Sequence, residues 1–132
     1  MIHSNGVDLV EVSRVERALA THGERFLARV YTAGERAYCL AKARPGPSLA
    51  ARFAAEEAVM KCLGTGWSDG VGFGQIEVVR GARGAPGLVL HGRAAEVAQG
   101  LGIRRWHLSL THTEHGALAF AIAERGGGDA AL

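Results

Sequence analysis

The sequence has few of the residues that mark several common protein classes. It has only two cysteines in 132 residues, Cys39 and Cys62, and they do not form a CxxC pair. This spacing argues against a zinc site, and so few thiols favour a reducing compartment. No apolar run approaches the ~18 residues of a membrane-spanning helix. The first residues also lack the basic-then-apolar layout of a secretion signal. We therefore expect a cytoplasmic protein that does not cross a membrane.

Aromatic residues are also scarce, and neither sign of charge dominates. Aromatic side chains make up 6% of the chain, and 15 basic against 13 acidic residues give a net charge of +2. Nucleic-acid binding usually needs a larger basic surplus or aromatic stacking platforms, so a small nucleic-acid binder is only a minor alternative. The basic residues are mostly arginines, which suit phosphate and carboxylate partners because the guanidinium donates two parallel hydrogen bonds.

What the sequence does contain is a series of helix and strand patterns with no internal repeat. We expect a single domain over 1–125, with 126–132 as a disordered tail. The predicted order β-α-α-α-β-β-α-β-β is an α+β fold, with a mainly antiparallel sheet wrapped on one long central helix. The strands are predicted at 6–12, 75–80, 87–92, 104–112 and 116–124, and the helices at 13–29, from about 33, at 49–63 and at 94–102.

Capping residues and chain breakers set the predicted helix ends. Ser13 and Thr32 are each followed three residues later by a glutamate, Glu16 and Glu35, which is the capping-box pattern. The prolines of the PGPS segment at 45–48 are predicted to break the chain before the central helix. Glycines are predicted to end that helix.

Three charged residues are candidates for phosphate chemistry. Asp8 lies within the apolar strand GVDLV, where a carboxylate is costly unless it is paired, bound to a metal or facing water at an edge. Glu57 and Lys61 lie one turn apart on one face of the central helix, a spacing that also suits an ordinary surface ion pair. Together the three provide carboxylate ligands for Mg²⁺ and a cation for developing phosphate charge. We therefore expect a Mg²⁺ site that handles a diphosphate.

Two further segments carry weaker signals. The glycines of GTG at 64–66 let backbone N–H groups approach a phosphate, although a simple glycine C-cap is the alternative. In HLSLTHT, His107 shares one strand face with polar residues, and leucines occupy the other face. His112 lies an even number of positions from the leucines, which would place it on their apolar face if the strand continued. It is therefore expected at the strand end or in the turn. For either histidine, a structural imidazole is the alternative.

These motifs, in this order, resemble the holo-acyl-carrier-protein synthase family of phosphopantetheinyl transferases. The similarity extends from Gly6 to Glu124 and includes GVDLVEVSRVE, YTAGERAYC, RFAAEEAVMKCLGTG, RGARGAPGLVL and LSLTHT. It implies the transfer of 4′-phosphopantetheine from coenzyme A to a serine of apo-acyl carrier protein, with Mg²⁺ as the metal and adenosine 3′,5′-bisphosphate as the second product. It also implies a role in fatty acid biosynthesis, within lipid metabolism, and a homotrimer with active sites between subunits.

The resemblance also implies roles for individual residues. Asp8 and Glu57 would bind Mg²⁺, and Lys61 would stabilise the diphosphate or the leaving group. His112 would lie near the phosphates, and it joins Glu57 and Lys61 in the implied catalytic set. Four more residues would help to hold coenzyme A: Arg52, Gly64, Thr65 and Gly66. The acidic recognition helix of the carrier protein would meet Arg14, with Arg17 and Arg25 as weaker candidates.

One position departs from the family pattern. The family reads AAKEA where this chain has AAEEA at 54–58, so Glu56 replaces a lysine beside the metal-binding glutamate. We expect Glu56 to be a third acidic group, a general base or a solvated residue with a screened charge. The acceptor of the serine proton stays open among a carboxylate-bound water, Glu57, Glu56 and His112. A non-catalytic carrier-binding module of the same fold is the alternative to an active transferase.

Overall fold

In the computed structural model, residues 1–66 and 68–126 are described. The predicted disordered tail lies outside the described residues except for Gly126, whose N–H donates to the carbonyl of Gly102. The elements in chain order are β1 (Ile2–Glu11), α1 (Val12–His22), α2 (Glu24–Val30), α3 (Ala33–Leu40), α4 (Gly46–Leu63), β2 (Ile76–Arg80), β3 (Pro86–Leu90), α5 (Gly92–Gly100), β4 (Ile103–His112) and β5 (Gly116–Arg125). Single turns of 3₁₀ helix lie at Phe73–Gln75 and Ala82–Gly84.

The described strands form two antiparallel sheets. A three-stranded sheet has the order β1-β5-β4, and β2 and β3 form a separate two-stranded hairpin. In the larger sheet, Asp8 of β1 and Leu110 of β4 both pair with Ala119 of the central strand. The α+β class, the antiparallel pairing and the helix-wrapping sheet are therefore confirmed, although the strands divide between two sheets.

The core consists of α4 packed against the inner face of the three-stranded sheet. Small side chains make a close approach possible, because the inward positions of β5 are the buried alanines Ala117, Ala119, Ala121 and Ala123. The contact with β1 is tighter still at Gly6. A Cβ there would lie 3.0 Å from the carbonyl carbon of Ala58 and would collide with its oxygen. This contact sets the spacing between the strand that carries Asp8 and the helix that carries Glu57.

On β1 and β5 the outer face of the three-stranded sheet is apolar and exposed in the single chain, whereas β4 presents polar residues there, such as Ser109 opposite Phe120. Leu9 is 70% exposed, and Val7 and Phe120 are exposed as well. These three side chains alternate with the inward-facing positions of β1 and β5, which places them on the same outer face. A contiguous apolar surface of this kind marks an interaction site more often than a solvated surface.

The predicted helix at 13–29 is wrong at its start and in its continuity. The helix begins at Val12, whose N–H donates to the carbonyl of His115 at 2.8 Å. The chain therefore satisfies this helix end with a backbone carbonyl, and the expected Ser13–Glu16 capping box does not form. Gly23 then divides the segment, because its φ of +52° is a left-handed value that favours glycine.

The remaining helix ends show two confirmed predictions and one wrong one. Thr32 and Glu35 form the predicted capping box, with hydrogen bonds of 3.1 and 3.2 Å. The central helix starts at Gly46, three residues earlier than predicted. Proline fits the first turn of a helix, because the backbone N–H that it lacks would have no partner within the helix there. The central helix ends at Gly64 (φ +77°), the predicted glycine C-cap. None of the helices within the described ranges is long and apolar enough to cross a membrane.

Candidate active site

Asp8 and Lys61 meet where β1 crosses α4. The ammonium Nζ of Lys61 donates to the backbone carbonyl of Val7 at 2.7 Å and lies 3.2 Å from Oδ1 of Asp8. The Asp8 side chain is 17% exposed, so it is neither a buried core group nor a fully solvated edge residue. The strand carboxylate is therefore paired, and it still reaches the surface.

Glu57 completes a cluster with these two residues. Burial raises the pKa of its carboxyl first, and the nearby charge of Asp8 raises it further. The cations of Arg14 and Lys61 act in the opposite direction. The structure therefore brings three of the predicted residues together, and we call them the Asp8–Glu57–Lys61 cluster. Arg14, which the family resemblance assigns to the carrier protein, lies close enough to influence it.

The donor set of this cluster fits a hard divalent cation that is shared with a phosphate ligand. Two carboxylates lie close enough for one to raise the pKa of the other, and a cation bound between them would relieve that repulsion. Among the described residues, no group of three or more His, Cys, Asp or Glu side chains is arranged to hold a metal. Mg²⁺ commonly takes only one or two protein carboxylates and completes its shell with phosphate and water. Asp8 and Glu57 meet that requirement.

The GTG segment follows α4 directly, one turn after Lys61. The N–H of Gly64 is used within the helix end, where it donates to the carbonyls of Met60 and Lys61. The Thr65 hydroxyl donates to the carbonyl of Gly66 at 3.2 Å, and Gly66 has a φ of +54°. A Cβ added to Gly66 would meet no described atom within 4 Å. Gly64 is thus a C-cap, and the backbone at Gly66 is open to an approaching ligand.

His112 lies apart from the cluster in a cleft of about 460 Å³. It is the last residue of β4 and is exposed, as predicted for the strand end. The cleft, which we call the His112 cleft, is lined by Tyr38, Lys42, Arg44, Pro47, Ser48, His112, Thr113 and Glu114. Its lining carries two cations and an imidazole against one carboxylate, and Glu16, which pairs with Arg44, lies outside the lining, so the cleft is a suitable site for an anion. Sequence reasoning missed Lys42 and Arg44, although two basic residues in the short α3–α4 connection were a signal.

Arg52 lies beneath the Tyr38 ring and is 4% exposed. Its guanidinium carbon is 4.4 Å from the centre of that ring, the guanidinium carbon of Arg80 is at 5.0 Å, and the ammonium of Lys42 is at 4.6 Å. We call these four residues the Tyr38 cluster. Within the described chain, Nε of Arg52 has no hydrogen-bond partner. A dense set of cations around one ring favours an anionic ligand nearby.

Arginines line two pockets beside α1 and α2, one mostly apolar and one mostly basic. Arg14 lines one pocket together with Phe26 and Phe53, and its guanidinium lies 5.9 Å from the Phe53 ring centre. Phe26 also lines the second pocket, with His22, Arg25 and Arg29. Arg17 lies on α1 and lines neither pocket. Sequence reasoning missed Arg29, which lies one helical turn after Arg25 on α2.

Glu56 points away from all of these surfaces and into the core. Its exposure is 0%, and neither of its carboxylate oxygens has a hydrogen-bond partner among the described residues. Burial raises its pKa well above the usual value, and the charges of Glu35, Glu57 and Cys39 add to this effect. Glu35 is buried too but accepts hydrogen bonds from two backbone N–H groups. The expected solvated or catalytic Glu56 is therefore wrong, because a helix turns adjacent residues about 100° apart.

Comparison with known proteins identifies the family of the chain. A sequence model described as the 4′-phosphopantetheinyl transferase superfamily matches residues 4–121. The chain belongs to this superfamily. It is 51% identical over 124 residues to the holo-[acyl-carrier-protein] synthase of Koribacter versatilis, with 94% of this chain and 99% of that protein covered. It is 50% identical over 127 residues to the synthase of Anaeromyxobacter dehalogenans, covering 94% and 97%.

Solved structures of the superfamily share the fold. The holo-[acyl-carrier-protein] synthase of Neisseria meningitidis superposes with a TM-score of 0.86 at 34% identity, covering 95% of this chain and all of that one. The synthase of Bacillus anthracis, solved in complex with CoA (3′,5′-ADP), superposes with a TM-score of 0.78 at 32% identity, covering 96% and 99%. The predicted family and fold are confirmed.

Proposed function

We propose that this chain transfers the 4′-phosphopantetheine arm of coenzyme A to a serine of apo-acyl carrier protein. The observation that carries the proposal is the Asp8–Glu57–Lys61 cluster, which places two carboxylates and one ammonium where β1 meets α4. The named relatives, all holo-[acyl-carrier-protein] synthases, support the choice of reaction. The alternative of a non-catalytic module loses its basis, because Glu56 is buried away from the cluster.

Asp8 and Glu57 would hold Mg²⁺, which would take its remaining ligands from the diphosphate and water. When bound, the ion polarises phosphoryl oxygens and offsets the charge that develops on them. Lys61 adds a fixed cation on the same side, since its Nζ is held by the Val7 carbonyl and the Asp8 carboxylate. Its remaining N–H bond can donate to the oxygen that becomes negatively charged as the leaving group departs.

The transfer itself forms one bond and breaks one. The serine oxygen of the carrier bonds to the β-phosphorus of coenzyme A, and the bond from that phosphorus to the bridging oxygen breaks. Adenosine 3′,5′-bisphosphate leaves with the electron pair. The serine proton passes to Glu57, to a water on that carboxylate or to His112, while Glu56 is excluded because it has no access to solvent.

Coenzyme A would extend from the cluster over the cationic surfaces. The His112 cleft and the adjoining Tyr38 cluster, which includes Arg52, place cations around one tyrosine ring. Cations in this number suit a ligand with three phosphate groups. The exposed backbone of Thr65 and Gly66, just beyond the C-cap Gly64, borders the helix end that follows Lys61 and would help to hold the phosphates.

The acidic helix of the carrier protein would dock on α1 and α2. Arg14 flanks an apolar pocket, Arg25 flanks a basic one, and Phe26 lines both, so an amphipathic acidic helix would find both charge and apolar contacts there. Arg14 also acts on the pKa of Glu57, so the docking surface would lie beside the reacting serine. Arg17 would contribute a peripheral charge only.

We also propose that the active form is a homotrimer in the cytoplasm that serves fatty acid biosynthesis. The exposed apolar outer face of the sheet, around Leu9 and Phe120, supplies a surface that a second copy would cover. The Asp8–Glu57–Lys61 cluster reaches the surface of a small domain, and a neighbouring subunit would turn that surface into an enclosed site. Symmetric contacts between identical subunits commonly repeat one such surface around an axis.

Intact-mass spectrometry of a carrier protein tests the proposed reaction. Apo-carrier from the same organism is incubated with the enzyme, coenzyme A and Mg²⁺, and the expected result is a carrier heavier by one phosphopantetheine group. A carrier whose acceptor serine is replaced by alanine should keep its mass. The reaction is refuted if the intact serine-containing carrier gains no mass although it binds the enzyme.

A further inference from the structure

Glu16 and Arg44 form a two-point ion pair between α1 and the α3–α4 connection. Nε of Arg44 donates to Oε2 of Glu16 at 2.9 Å, and Nη2 donates to Oε1 at 3.0 Å. Two parallel bonds fix the plane of a guanidinium far better than a single charge contact does. Glu16 is not used as a helix cap, so this pair is its principal interaction.

The carboxylate of Glu16 lies directly against the start of α4. A Cβ added to Gly46 would lie 2.6 Å from Cγ and 2.7 Å from Cδ of Glu16, and closer still to Oε2. Only a residue without a side chain therefore lets the carboxylate rest against this helix end. The N-terminal end of an α-helix also favours a negative charge.

Arg44 lines the His112 cleft with Lys42 and His112, and Glu114 is the acidic residue there. Its ion pair uses Nε and one edge of Nη2. Nη1 of Arg44 has no hydrogen-bond partner in the part of the chain that is described. The N–H groups at this end of the guanidinium are therefore available to a ligand. The guanidinium is thus anchored along one side and open at its end.

We infer that Glu16 is a positioning residue that fixes the guanidinium of Arg44 so that its open end meets a phosphate group of coenzyme A in the His112 cleft. The inference rests on the proposed function, because coenzyme A is the ligand. Glu16 lies two residues from Arg14 on the same helix. Helix α1 would therefore both present arginines to the carrier protein and position Arg44 in the His112 cleft.

Steady-state kinetics with Glu16→Gln test this role. The glutamine keeps the shape but weakens the two-point pair, so the KM for coenzyme A should rise about threefold to fivefold, the upper part of the range for an exposed ion pair. The kcat and the KM for the carrier protein should not change. Gly46→Ala, which displaces the carboxylate while keeping its charge, should reproduce the effect. Glu96→Gln, which breaks the exposed pair with Arg93, is the control and should change nothing.

Two coenzyme A analogues identify which phosphate Arg44 meets. If the phosphate is the 3′-monoester, the effect of Glu16→Gln should vanish with 3′-dephospho-coenzyme A; if it is the diphosphate, the effect should persist. Either pattern supports the positioning role. The role is overturned if wild type transfers the arm and Glu16→Gln leaves the KM for coenzyme A unchanged or lowers it. Failure of wild type itself would instead refute the proposed function.

Discussion

Lys61 reaches across 53 positions of sequence to lie 3.2 Å from Oδ1 of Asp8, and the same ammonium is hydrogen-bonded to the carbonyl of the residue before that aspartate. The lysine is therefore oriented by the strand as well as by its own helix. A fixed cation is worth more in catalysis than a mobile one, because it needs no reorganisation when charge develops. This relationship makes Lys61 a test of the site that is separate from the metal.

Lys61→Met should lower kcat about 100-fold to 1,000-fold, the usual loss when one preorganised donor to a developing charge is removed. The side chain keeps most of its length, so the packing of its stem against β1 is retained. Substrate binding should change much less than kcat. Quench-flow measurement of carrier modification at saturating coenzyme A checks this. A variant with near wild-type kcat would show that the lysine only stabilises the fold.

Gly6→Ala should cost about 1–3 kcal/mol of unfolding free energy, the range for an overpacked core. The added methyl would collide with the carbonyl of Ala58, and backbone on both sides leaves little room to yield. Because the collision pushes β1 from α4, transfer activity should fall further than stability alone explains. Urea denaturation and the transfer assay check both. Gly100→Ala, where the new Cβ meets no described atom within 4 Å outside its own helix, is the matched control.

The close contact at Gly6 illustrates what sequence can and cannot predict. The long apolar helix, the hairpin and the Thr32–Glu35 capping box were predictable, because each depends on residues near one another in sequence. The chemistry of Asp8, Glu57 and Lys61 suggested a shared site, and the family resemblance implied their roles, but neither gave a distance. No local pattern measures a distance between a strand and a helix.

The errors have physical causes of the same kind. Apolar residues continue at helical spacing past Gly23, so periodicity predicts one unbroken helix. It gives no sign of the change in chain direction at Gly23, which has a positive φ. The inward orientation of Glu56 contradicts the rule that charges face water. The His112 cleft joins Tyr38 to residues from the far end of the chain, a combination that no spacing rule contains.

Glu56→Gln should stabilise the protein at pH 8 and have little effect near pH 5. Burial raises the pKa of Glu56 and raises that of Glu35 to about 7, so the folded state holds more protons than the unfolded state above pH 4.5. Stability from these groups is present at low pH and is lost as pH rises through their folded pKa values. The gain at pH 8 should be about 1–3 kcal/mol, because glutamine removes the cost of protonating this carboxyl as the chain folds.

Urea denaturation of wild type and Glu56→Gln at the two pH values, without Mg²⁺, checks this. The glutamine variant should show a flatter dependence of unfolding free energy on pH. Glu96→Gln, whose carboxylate is exposed, should leave the wild-type slope intact. An equal change at both pH values would mean that the Glu56 carboxyl does not titrate differently in the folded state.

Arg14→Ala should raise the KM for the carrier protein about tenfold, equivalent to about 1.4 kcal/mol of binding. The arginine lies over the Phe53 ring beside an apolar pocket, where it would meet an acidic helix. Arg17→Ala, on the same helix but outside both pockets, should have a smaller effect that high salt removes. Equal effects of the two variants would place the carrier protein elsewhere.

Leu9→Glu should abolish self-association. Leu9 is 70% exposed on the outer face of the sheet in the single chain, and a buried charge would destabilise any interface formed there. Sedimentation velocity should give a trimer for wild type and a monomer for this variant. Leu40→Glu, at another exposed leucine on α3, should stay trimeric. A trimeric Leu9→Glu protein would show that this face is not the interface.

The most direct test of the central claim is the rate of carrier modification by Asp8→Asn and Glu57→Gln, followed by intact mass at saturating coenzyme A and Mg²⁺. Both substitutions keep side-chain volume and remove one carboxylate of the Asp8–Glu57–Lys61 cluster. We predict that each variant folds like wild type and transfers the arm at least about 100-fold more slowly, as loss of charge stabilisation at a phosphoryl-transfer site requires. Folded variants that modify the carrier at the wild-type rate would contradict the assignment of this cluster as the active site.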